Sequence, residues 1–111
     1  MTSRYYDRTG ERITEDEYRL LRRNGAGRVR LDREGDRMVS TVWLGEEHGP
    51  FPGALLIFET ARFAGETLDG YSRHSSESAA IAAHEAACIE HLGREATPVE
   101  PEPRSPWRRP A

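Results

Sequence analysis

At 111 residues the chain has room for one domain with a modest core. Its 36% hydrophobic and 32% charged residues are polar for a globular protein, yet they are not a disordered composition throughout. A net charge of −3 argues against nucleic acid as a partner, and the apolar runs at 54–58 and 79–83 are far too short for a membrane span.

All 16 basic side chains are Arg, with no Lys and no Gln, a bias typical of a GC-rich genome. Cys88 is the single cysteine, so no internal disulfide forms and a reducing compartment is expected. The opening Met-Thr-Ser-Arg-Tyr-Tyr carries no apolar signal region, and the expected location is cytoplasmic. Charge is uneven: residues 1–37 carry ten Arg against eight acids, and residues 38–93 carry two Arg against eight.

In chain order, Tyr5 to Ile13 reads as two short extended pieces around a turn at Gly10. Thr14 and Glu17 form a capping box, and Ile13 is placed to staple onto Tyr18. Acids at 15–17 and Arg at 19, 22 and 23 match the two ends of the helix dipole, so the sequence predicts a helix over 15–23. Arg28 to Asp32 alternates like a half-buried strand, with a turn at Glu34-Gly35 and a return strand from Arg37 to Leu44. That register sets Leu31 opposite Met38 and Val29 opposite Ser40. One face would carry Val29, Leu31, Met38, Val42 and Leu44, the other Val39, Thr41 and Trp43, and both faces are expected to be covered.

Gly45 to Gly53 is a loop by composition. Leu55 to Phe58 opens a central strand running towards Phe63. Asp69-Gly70 signals a hairpin between Thr67-Leu68 and Tyr71-Ser72. Ser75 or Ser76 caps a second helix over 77–92, which Gly93 ends. Beyond it lie five of the seven prolines, from Pro98 to Pro110, so residues 94–111 read as a disordered tail dispensable for folding. The expected fold class is α+β: a single domain over 1–93, with an antiparallel sheet of about four strands and two packed helices.

Two constellations carry chemical meaning. His84, Cys88 and His91 recur at i, i+4 and i+7 on one side of the second helix, with donor types that suit zinc. Three donors in a row along one helix cannot close a tetrahedral shell, so they read first as a buried stripe of Ile81, Cys88 and Leu92 flanked by part-exposed histidines. No metal or other cofactor is expected. The second constellation is the loop region with Trp43, Glu46, Glu47, His48 and Phe51. Aromatic residues rimmed by acids suit a recognition surface for another protein better than acid–base catalysis. The Arg-rich ends offer only a weak nucleic-acid reading, and Gly25-Ala26-Gly27 precedes a strand where a phosphate loop would precede a helix.

The run Ser40-Thr41-Val42-Trp43-Leu44-Gly45, then His48-Gly49, Leu56-Ile57-Phe58-Glu59-Thr60, Phe63 and Gly65, resembles a family of small uncharacterised proteins of actinobacteria and their phages. The likeness spans about residues 5–92. Glu46-Glu47 departs from it, standing where the family has an apolar–acidic pair, as does Ala61-Arg62, standing where it has apolar residues. The resemblance implies a phage or mobile-element accessory protein and imports no activity.

Overall fold

The computed structural model describes residues 4–47 and 55–98. The fold is α+β, with a four-stranded antiparallel sheet, a two-stranded ribbon and two helices. The ribbon pairs β1 (Tyr5–Tyr6) with β2 (Arg12–Ile13). The sheet has the order β3-β4-β5-β6, formed by Arg28–Glu34, Arg37–Trp43, Phe58–Ala64 and Thr67–His74.

Helix α1 spans Glu15–Arg23, as its capping box predicts: Glu17 N donates to Thr14 Oγ1 at 3.1 Å, and Thr14 N to Glu17 Oε1 at 3.3 Å. None of its residues is fully buried. Tyr18 holds it to the domain, stacked on Tyr5 at 4.4 Å and tilted against Trp43 at 5.5 Å. Helix α2 spans Glu77–Ala87, capped by Ser76, and continues as a π-helical turn over Cys88–Leu92 that a left-handed Gly93 ends.

Both hairpin turns differ from expectation, for one reason. A two-residue primed turn needs positive φ at its first central residue. Gly35, at φ 60, takes that position, so the turn is Gly35-Asp36 and Glu34 pairs with Arg37. Leu31 therefore lies opposite Ser40 and Arg33 opposite Met38. Likewise Gly65, at φ 59, opens the β5–β6 turn, with Ala64 opposite Thr67. Asp69-Gly70 is not a turn but a bulge inside one strand, between the pairs Arg62–Gly70 and Phe63–Leu68.

Helix α2 packs on the face of Val39, Thr41 and Trp43, all fully buried, and α1 reaches the Trp43 end of that core through Tyr18 and Leu21 while contacting β1. Trp43 centres one cluster with Ile13, Ile57, Phe58 and Ala80, and Val39 centres another with Ala87, Cys88 and Leu92. A bulge between Arg28 and Arg30 turns Val29 into the first cluster, away from Leu31, and Leu44 is only half-buried. The expected second cover is not there: among the described residues no element packs on the other face. The domain also runs past its expected limit of residue 93. Arg94 and Thr97 bond to β3, and Ala96 packs on the second cluster. Residues 99–111, the rest of the expected tail, lie outside the described residues.

Candidate functional site

His84 enters the core because α2 crosses the sheet above β4 and β5. Its Nε2 lies 2.8 Å from Asp32 Oδ2 and its Nδ1 2.8 Å from Thr41 Oγ1, which is 2.7 Å from Thr60 Oγ1. A carboxylate can only accept, so Nε2 carries the proton toward Asp32; in the neutral ring Nδ1 then accepts from Thr41. Asp32 Oδ1 takes two further donors, Thr97 N at 2.9 Å and Arg94 Nη1 at 3.3 Å. Burial pushes the Asp32 carboxyl up, but hydrogen bonds from Thr97, His84 and Arg94 outweigh it and hold the group well below the usual carboxylate range. Burial pulls the His84 imidazole down against the opposing pull of Asp32, so the ring is neutral near pH 7.

The order Asp32–His84–Thr41 is that of a nucleophile triad, yet all three side chains are closed to solvent and no substrate can reach the hydroxyl. The same cluster is the one place where metal-ligating atoms converge among the described residues, with Asp32, His84 and Cys88 within 4.8 Å of one another. The donors fit an ion poorly. His84 and Asp32 satisfy each other, Arg94 already brings a cation to Asp32, and burial pushes the Cys88 thiol up to about 11, away from the thiolate a metal needs.

The predicted helix-face triad is thus divided. His84 and Cys88 join Asp32, while His91 Nε2 donates to the Phe63 carbonyl at 2.8 Å and its Nδ1 faces Asp69 at 3.7 Å. Both histidines are buried, not part-exposed, because each finds a polar partner on the sheet. Asp32 was missed, although a charged residue at an inward-facing strand position was its signal.

The predicted recognition surface is also redistributed. Trp43 is 0% exposed and donates from Nε1 to the Tyr6 carbonyl at 3.0 Å, so it is a core residue and no part of a surface. Glu46 bridges to β1 beside Tyr5 and reaches Arg4 at 3.5 Å, and Glu47 Oε1 accepts from Leu55 N at 3.2 Å. His48 and Phe51 lie outside the described residues.

What the fold does expose is the uncovered face of the sheet. Its pairing sets three rows across the four strands. Arg33, Met38, Phe63 and Leu68 form the first, Leu31, Ser40, Ala61 and Tyr71 the second, and Arg28, Val42, Glu59 and Arg73 the third. Leu68 is 50% exposed and Tyr71 56%. At its centre Ser40 and Leu31 are half-buried and Ala61 is buried, beside the exposed Tyr71. Sequence reading missed this surface because the misplaced turn at Asp69-Gly70 broke β6 into two pieces.

Compared with protein-family models, curated proteins and solved structures, the chain matches none of them. No helix among the described residues is long and apolar enough to cross a membrane.

Proposed function

We propose that the chain is a non-enzymatic protein-interaction module that docks another protein on the open face of its sheet. Its setting, by resemblance, is the cytoplasm of an actinobacterium as a phage or mobile-element accessory protein. One observation carries the reading: Leu68 and Tyr71 stand exposed beside Met38, Val42 and Phe63 on a face that no described element covers. Sheets bury an apolar face against another layer, and contiguous apolar patches of this kind mark contact sites. The buried Asp32–His84 network supports the same reading from the other side, since it spends the chain's best catalytic groups on holding α2 and residues 94–97 to β3.

The test is capture of a partner from the native host by wild-type protein and by two charged variants. Leu68→Asp with Tyr71→Asp should abolish capture at unchanged melting temperature, whereas Ile89→Asp, at a residue 59% exposed on the helical side, should not. Loss in both variants or in neither would overturn the reading. A second reading, a zinc site, rests on the convergence of Asp32, His84 and Cys88. Elemental analysis of untagged protein tests it, and one equivalent of zinc lost in Cys88→Ser would put it first.

A further inference from the structure

Charge on the open face is one-sided. Arg28 and Arg33 on β3 and Arg73 on β6 surround its apolar centre, against Glu59 alone, which Arg73 already holds at 3.1 Å. The guanidinium groups of Arg28 and Arg33 make no ion pair among the described residues. Glu66 sits in a hairpin turn beyond one end of the face, and Asp36 borders that end, lining one concavity with Arg33 and Met38, so the positive excess is greatest towards Arg28. A positive rim on a chain of net charge −3 is a segregated field, and it selects partners by sign.

Size selects further. Four strands about 4.8 Å apart and roughly 20 Å of strand length give a face of about 400 Å². A stable dimer of two copies buries about 800 Å² on each, and a two-fold copy would set one Arg rim against another. An α-helix about 10 Å wide and 20 Å long, some 13 residues, covers about half of that face and leaves its edges to the side chains that flank the helix.

On the interaction-module reading, we propose that the occupant is an acidic amphipathic helix of a partner protein, lying with its apolar stripe along Phe63, Leu68 and Tyr71. Its Asp and Glu flank meets Arg28 and Arg33, the two cations of the face that no described acid pairs. Attraction of this kind speeds encounter and fades with salt.

Fluorescence anisotropy with the full chain tests this. The probes are a labelled helical peptide with leucines at i, i+3, i+4 and i+7 flanked by Glu, its Lys-flanked counterpart, and a single-stranded oligonucleotide. The acidic peptide should bind best, weaken with salt, and lose about tenfold in affinity in Arg28→Glu with Arg33→Glu. Binding should vanish in Tyr71→Asp. Equal or better binding of the Lys-flanked peptide would overturn the acidic partner, and preferred binding of the oligonucleotide would overturn a protein helix as occupant. Failure of every peptide would overturn the proposal while the capture experiment above still decides the interaction reading, because that experiment assumes no sign of charge.

Discussion

Ending the chain after Gly93 should destabilise the domain, although composition assigns everything past that residue to a tail. The Asp32 side chain is 1% exposed and is held by three donors, His84 Nε2, Thr97 N and Arg94 Nη1. Truncation removes two of them and also the packing of Ala96 on the cluster of Val39, Ala87, Cys88 and Leu92. A hydrogen bond to a charged group contributes roughly 1.5–3 kcal/mol, so Thr97 N alone implies a loss of about 2 kcal/mol. For a domain of this size each kcal/mol moves the midpoint by roughly 4–8 °C, which gives a fall of about 10 °C. Arg94 adds to it. Thermal melts by circular dichroism would compare the full chain with versions ended after Gly93 and after Pro98. The version ended after Pro98 should melt within about 2 °C of the full chain, since residues 99–111 are too proline-rich and apolar-poor to drive packing. If the version ended after Gly93 also melts there, Asp32 does not depend on residues 94–97 and the reasoning fails.

Gly45→Ala should cost roughly 3 kcal/mol in chemical denaturation, because Gly45 has φ 76 and an added Cβ would collide with the rings of Tyr18 and Trp43; Gly10→Ala, also at positive φ but with open space around it, should cost less. Thr14→Ala should cost about 1 kcal/mol by removing the oxygen that caps Glu17 N, measured against a neutral exposed control such as Glu11→Ala. Stability should fall as pH drops below neutral, in two stages of the same sign. His84 is held below its ordinary value of about 6.5, so the unfolded chain takes up a proton first and stability is lost as pH falls through that value. Asp32 is held below its ordinary value of about 3.9, so its contribution is complete above that pH and is lost further down. His74, also lowered by burial, adds to the first stage. In melts between pH 7 and 5, His84→Gln should therefore show a shallower slope than wild type, and an unchanged slope would refute the assignment.

Local chemistry alone determined much of this protein. The capping box of Thr14 and Glu17, the acids and arginines at the two ends of α1, Ser76 before α2 and Gly93 after it all act within one helical turn, so they are legible residue by residue. The alternation of β4 likewise separated Val39, Thr41 and Trp43 from Met38 and Val42, because strand periodicity is a property of the backbone. Turn placement was less secure. Asp69-Gly70 and Glu34-Gly35 carry the same dipeptide signal as true turns, and only pairing with a neighbouring strand decides which residues must take positive φ. The tertiary structure alone decided which face is covered. Nothing in the alternation of a strand says whether one helix layer or two will pack on it, and here α2 fell on the side of Trp43 with Tyr18 of α1 against that ring, leaving Leu68 and Tyr71 outside. It also decided the fate of the chemical groups. Asp32 and His84 are 52 residues apart, and a carboxylate in a strand becomes the hub of a buried network only when a helix, and the chain just beyond it, close over that strand.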